Sequence, residues 1–163
     1  MYYTESFTRK TKAKNVLFLC ETNSIYSQIA EAYLNKKASR SFQAYSAGFS
    51  TKHIQQSVVN VLREDGIDIT MNKSKTIYSM ELSHLKFDYV ISFCDPENPT
   101  QQPVFPNKHK KIKWNMRQNF TNKTNEEELM QSLRKTRDQI KAAVYEFIDE
   151  QLSVFEDSAL QLV

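Results

Sequence analysis

The chain has 163 residues, 40% of them hydrophobic and 25% charged, with a formal net charge of +3. That length suits one domain with a sizeable core, the charge is too small to argue for nucleic acid, and no apolar run is long enough to span a membrane. Only two cysteines occur, Cys20 and Cys94, and the opening MYYTESFTRKTKAKN lacks the apolar stretch of a secretion signal. A reducing cytoplasm is therefore the expected compartment, with no structural disulfide.

Residues 1–13 are polar and basic without a period and read as a flexible lead-in. Residues 15–20 are a short apolar run, the pattern of a strand buried on both faces. From Ser27, the residues Ile29, Ala30, Ala32, Tyr33 and Leu34 predict a helix of about three turns. Residues 42–46 predict a second strand, closed by Ala47 and Gly48. A second helix is expected over 54–65, with Val58, Val59, Val61 and Leu62 on one face and Gly66 at its C-terminal cap. One helical turn is expected near 80–85, then a third strand over 87–94. All four prolines, Pro96, Pro99, Pro103 and Pro106, fall between Asp95 and Lys110, so that segment is a long loop. A fourth strand follows at 111–114. Thr124 with Glu127 reads as a capping box opening a long helix with Leu129, Leu133, Ile140, Val144, Phe147, Ile148 and Leu152 along one face. The tail, 153–163, either extends that helix or makes a contact of its own.

The order β-α-β-α-β-β-α, with apolar strands, predicts an α/β fold with a four-stranded parallel sheet and helices on both faces. One domain is expected over 14–152. Right-handed crossovers put the first two helices on opposite faces if the first strand is central. Ligands then sit at the C-terminal ends of the strands, where both cysteines fall. His53, His84 and His109 are dispersed, so neither a metal site nor a cofactor is expected. The KHKKIK run at 108–113 reads as a solvated approach to an edge strand, or as a patch attracting an acidic partner.

Between Cys20 and the helix lie Glu21, Thr22, Asn23, Ser24, Ile25 and Tyr26. Backbone N–H groups and the dipole at a helix mouth cradle an oxyanion and favour a thiolate, by about 0.3–2 kcal/mol. A cysteine ending a buried strand is also commonly an inert core residue, and the thiol by itself leaves both readings open. With glycine confined to Gly48 and Gly66, Asn23 is the loop residue best suited to positive φ.

Several pieces in order resemble the low-molecular-weight protein tyrosine phosphatase superfamily, specifically its thioredoxin-coupled arsenate reductase branch. They are NVLFLCETNS-x-x-SQIAEAYL, YSAG at 45–48, EDGIDIT-x-x-x-SK at 64–75, FDYVISFCD, PVFP at 103–106, Trp114 and LRKTRDQI at 133–140. The resemblance implies a flavodoxin-like three-layer sandwich, with Cys20 as nucleophile on phosphorus or arsenic. It implies that Asn23 braces the loop, that Ser27 donates to the thiolate, and that Cys94 releases arsenite by closing a disulfide with Cys20. It implies a small oxyanion (arsenate or phosphate) or a phosphorylated protein as partner, and thioredoxin or another thiol reductant.

Three positions depart from the family pattern. The loop arginine is Tyr26, and a phenol cannot replace a bidentate, permanently charged guanidinium. The region of the phosphatase acid, 114–120, carries no carboxylate. The second resolving cysteine is Gln102. Arg117, in the place of the missing acid, is the candidate compensating cation, or else a solvated surface arginine. Three readings stay open: a weakened arsenate reductase or phosphatase, a pseudoenzyme that binds a partner or anion, and a Cys20–Cys94 redox pair.

Overall fold

The computed structural model describes residues 12–95, 103–116, 120 and 125–160. Its elements are β1 (Lys14–Cys20), α1 (Tyr26–Ala38), β2 (Phe42–Gly48), α2 (Gln56–Arg63), β3 (Tyr89–Ser92), β4 (Lys110–Lys113) and α3 (Glu126–Leu160). The four strands form one parallel sheet in the order β2-β1-β3-β4, the α/β architecture expected from the apolar runs. Register pairs Cys20 with Gly48 and Leu19 with Ser92. The end of β1 is thereby flanked by the ends of both neighbours.

Alternation along β1 divides the core. Val16 and Phe18 join α1, α2 and α3 in the larger cluster, where Tyr33, Leu62, Leu133, Ile140, Val144 and Phe147 are buried. Leu17 and Leu19 belong to a smaller cluster with Ile77, Leu82 and Phe87, edged by Phe105. The expectation that α1 and α2 lie on opposite faces is therefore corrected: α2 packs into the same cluster as α1. Its physical reason is the length of the β2–β3 crossover, of which α2 is only the first part. The later part, around Ile77 to Phe87, covers the other face with turns. Hydrogen bonds from Leu82 N to Ser79 O and from Leu85 N to Leu82 O are three-residue closures, so the helical turn expected at 80–85 is a run of turns instead.

The end of α2 follows the glycine rule. Gly66 has φ +71°, its N–H reaches Arg63 O at 2.9 Å, and Ile67 N reaches Leu62 O at 3.1 Å. This Schellman closure also brings the apolar pair Leu62 and Ile67 into the core. At the start of α3 the cap is Asn125, whose Oδ1 accepts from Glu128 N at 2.8 Å. The expected Thr124 cap lies outside the described residues, and the helix begins one residue later than that cap requires. Leu129, Leu133, Ile140, Val144, Phe147, Ile148 and Leu152 all pack in or against the larger cluster. The helix continues without a break to Leu160.

The LRKTRDQI segment docks α3. Arg137 donates to Val61 O at 3.0 Å and to Glu64 Oε2 at 2.6 Å, and Arg134 Nε donates to Glu64 Oε1 at 3.0 Å. Nearby, Lys141 reaches Asp65 Oδ2 at 2.9 Å and Tyr33 OH reaches the same oxygen at 2.5 Å. No helix among the described residues is long and apolar enough to cross a membrane.

Candidate active site

Cys20 ends β1, buried, with its Sγ 2.9 Å from Ser27 Oγ in the first turn of α1. Ser27 is oriented from behind. Asn23 Nδ2 donates to Ser27 Oγ at 2.8 Å, so the hydroxyl faces the sulfur with its proton and a second lone pair, able to donate to a thiolate or to accept from a thiol. The amide orientation of Asn23 is fixed on its other side, because its Oδ1 accepts from the backbone N–H of Lys75 at 2.9 Å and from Gln28 Nε2 at 3.0 Å. A backbone N–H can only donate, so the oxygen must face Lys75 and the nitrogen must face Ser27. Asn23 has φ +50°, the single non-glycine residue with positive φ among those described. Asparagine tolerates that region better than most side chains.

Outside residues hold the rest of the loop. Ser50 N donates to Glu21 O at 3.0 Å, Lys52 N to Thr22 O at 3.1 Å, and Ser74 Oγ to Thr22 O at 2.7 Å. In trans peptides each carbonyl opposes the next N–H. These bonds therefore turn the N–H groups of Thr22 and Asn23 to the side away from Ser50, Lys52 and Ser74. Thr22 and Ser24 share a hydroxyl contact at 2.7 Å, and Ile25 occupies the N-cap of α1 without a side-chain cap bond. Gln28 is fully buried and is bonded in turn by Asn72 Nδ2 at 3.0 Å. Sequence reasoning missed Gln28, Ser50, Lys52, Ser74 and Lys75 as loop supports. The available signals were the glutamine after Ser27 in the SQIAEAYL piece and the serine–lysine pair ending the EDGIDIT segment.

Behind the loop, Glu31 is mostly buried and its carboxyl is raised above the ordinary range by burial, against the opposing pull of Lys75, whose Nζ lies 4.0 Å away. Lys75 thus meets the site twice, through its backbone at Asn23 and through its ammonium at Glu31.

Tyr26 begins α1 with its ring against Phe93 at 5.6 Å and Phe120 at 6.0 Å between centroids. Position 26, where the resemblance implies an arginine, is part of an aromatic cluster that continues through Phe93 to Trp114. Cys94 lies two residues past β3, half-buried, its Sγ 3.9 Å from Glu21 Oε2. Burial pushes its thiol up to about 12, helped by the negative charges of Cys20, Glu21 and Asp95 and opposed by Lys113. Both cysteines are free thiols. Arg117 and Gln102 lie outside the described residues, and no group of three or more potential metal ligands occurs among those described.

A thiol at the end of a central parallel strand, bonded to a serine in the next helix, has the layout of a nucleophile facing an anion cradle. The family profile described as low molecular weight phosphotyrosine protein phosphatase matches residues 15–161. The chain belongs to that family. Among curated relatives, arsenate reductases of Bacillus licheniformis and Bacillus subtilis are each 29% identical over 136 residues, 83% of this chain and 96% of theirs. Among solved structures, a thioredoxin-dependent arsenate reductase of Corynebacterium glutamicum aligns with TM-score 0.63 and 25% identity, over 88% of this chain and 64% of that one. A low molecular weight protein tyrosine phosphatase of T. tengcongensis aligns with TM-score 0.65 at 20% identity, over 85% of this chain and 99% of its own, a likeness of fold. Family membership accounts for the strand–loop–helix frame.

Proposed function

We propose that this family member reduces arsenate slowly, with Cys20 as the nucleophile and Cys94 as the second thiol. The observation that carries the reading is the oriented contact between Ser27 and Cys20, 2.9 Å long and held by Asn23. A serine hydroxyl held against the sulfur can turn its proton to the thiolate once Cys20 ionises. The loop residues Glu21, Thr22, Asn23, Ser24, Ile25 and Tyr26 then surround the bound oxyanion. Cys20 attacks arsenic with loss of water. Cys94 next attacks Cys20 Sγ, the sulfur–arsenic bond breaks with its electron pair remaining on arsenic, and arsenite leaves as the two thiols become a disulfide. Thioredoxin or another thiol reductant restores the dithiol, which fits a reducing cytoplasm.

Phosphate-ester hydrolysis is the weaker alternative, because residues 114–120 contain no carboxylate to protonate a leaving group. Reduction at arsenic needs no such acid. Loss of the loop guanidinium lowers either rate by at least roughly 10²–10³, the typical effect of one oxyanion donor. Arg117 is the candidate to restore part of that charge. A second reading, an oxyanion or partner binder without turnover, is favoured by the packing of the Tyr26 ring against Phe93 and Phe120.

Arsenate reduction and aryl-phosphate hydrolysis, measured for the wild type, Cys20→Ser, Tyr26→Arg and Arg117→Ala, decide between them. Arsenite production that disappears in Cys20→Ser and rises about 10²-fold in Tyr26→Arg is the expected result. A wild type without turnover that gains it in Tyr26→Arg supports the binder instead. Activity lost in Arg117→Ala, but retained when the same change accompanies Tyr26→Arg, assigns the compensating charge.

A further inference from the structure

Glu21 puts a carboxylate inside a loop that handles anions, and it has lost the cation that would balance it. A negative charge there works against oxyanion binding, so its position must be explained by something else it touches. That partner is Cys94, whose Sγ is 3.9 Å from Glu21 Oε2. The contact is held from both sides. The Glu21 carbonyl is fixed by Ser50 N at 3.0 Å, and the chain entering Cys94 is fixed by Phe93 N on Leu19 O at 2.8 Å. The other carboxylate near Cys94, Asp95, is engaged by Lys113.

We propose that Glu21 is the base that takes the proton of Cys94 while its sulfur closes the disulfide with Cys20. This rests on the disulfide step proposed above, and not on arsenate being the group that Cys20 carries. The need for a base follows from the surroundings. In the resting protein burial first, then the charges of Cys20, Glu21 and Asp95, only partly offset by Lys113, push the Cys94 thiol up to about 12; of these only the Cys20 charge disappears in the adduct, so the thiol stays raised above its ordinary range. As the new sulfur–sulfur bond forms, the attacking S–H becomes strongly acidic, and a carboxylate in contact receives its proton without a free thiolate ever forming. The same charge that opposes resting ionisation of Cys94 therefore speeds its attack.

Diamide separates this step from oxyanion chemistry. Cys20 adds across its nitrogen–nitrogen double bond. Cys94 then attacks Cys20 Sγ, the sulfur–nitrogen bond breaks towards nitrogen, the two thiols are oxidised, and diamide leaves reduced to the hydrazine. The Cys94 proton passes to Glu21. Closure is followed by quenched mass spectrometry at pH 7 for wild type and Glu21→Gln, alongside iodoacetamide alkylation of Cys94 in Cys20→Ser with and without Glu21→Gln. Glu21→Gln is expected to slow closure at least tenfold, while alkylation of Cys94 is unchanged or faster because a repelling charge has gone. Equal closure rates overturn the proposal, as does alkylation slowed in parallel with closure, which would indicate general disruption of the loop. A wild type that forms no Cys20–Cys94 bond overturns it together with the disulfide step. Normal diamide closure without arsenate turnover counts against the arsenate reading alone, and the Glu21→Gln comparison still decides the role of the base.

Discussion

Gly48 is where β2 touches the Cys20 loop, and no other residue type fits there. A Cβ at that position would lie 2.5 Å from Ser50 O, 2.7 Å from Asn23 N and 2.9 Å from Glu21 O, all backbone atoms that cannot swing aside. Gly48→Ala is accordingly expected to destabilise the protein by about 1–3 kcal/mol, and to cut alkylation of Cys20 by displacing Ser27 through Asn23. Urea unfolding and iodoacetamide kinetics measure the two effects, and an unchanged alkylation rate would show that Asn23 does not transmit the shift. At this scale the sequence was informative about the loop itself. Cysteine, asparagine and serine at 20, 23 and 27 identify the parts that meet, and the lack of glycine within the loop points to Asn23 for positive φ. The supports at Ser50, Lys52, Ser74 and Lys75 were illegible, because a polar residue in a distant loop carries no period to reveal what it holds. Glu21 read only as a loop position, since its thiol partner lies just past the end of β3, 73 residues away.

Among the elements, those defined by apolar runs were readable in both kind and place. β1 alternates between two buried faces, β2 buries Phe42, Ala44 and Ser46 on one face, and α3 carries its core residues at the spacing of a helix. Errors came where local signals tie. Thr124 and Asn125 are both good caps with a glutamate three residues on, and the second of them holds the helix start. The face taken by α2 could not be read from handedness, which constrains the whole crossover and not the first helix within it. Where a signal is unique the consequence is sharp. Gly66→Ala forces a side chain into φ +71° at the closure of α2, and should lower stability by about 1–2 kcal/mol without altering Cys20 reactivity. Urea midpoints with the slope unchanged would register it; a loss below about 0.3 kcal/mol would mean that the Schellman closure relaxes freely.

Across the whole molecule, the C-terminal helix is tied to the α1–α2 side by ion pairs as well as by apolar packing. Hydrogen bonds from Lys141, then from Tyr33, hold the Asp65 carboxyl below the ordinary range, and hydrogen bonds from Arg134 and then Arg137 do the same for Glu64. Depressed folded-state values mean that this stabilisation is complete above the unfolded carboxylate range, about pH 4, and is lost as pH falls through the folded values. Thermal stability should therefore be level between about pH 5 and 7 and decline below about pH 4. Lys141→Met should be less stable than wild type at pH 7 and should converge with it in acid, by a modest amount because these groups are partly exposed. Parallel unfolding curves at every pH would remove Lys141 from the explanation. Motifs that carry a family likeness need not carry its chemistry: LRKTRDQI is readable in the sequence as a signature, and in the fold it joins helices far from the thiol.

The bracing of the loop has a practical meaning. Ser50, Lys52, Ser74 and Lys75 hold Glu21, Thr22 and Asn23 without involving position 26, whose side chain contributes one partly buried ring to a neighbouring aromatic cluster. Those bracing bonds stay in place whichever side chain stands at position 26. The chain is in this sense a template for directed evolution, in which a small library at one codon, screened against different anions, tests which selectivities the braced Cys20 loop supports.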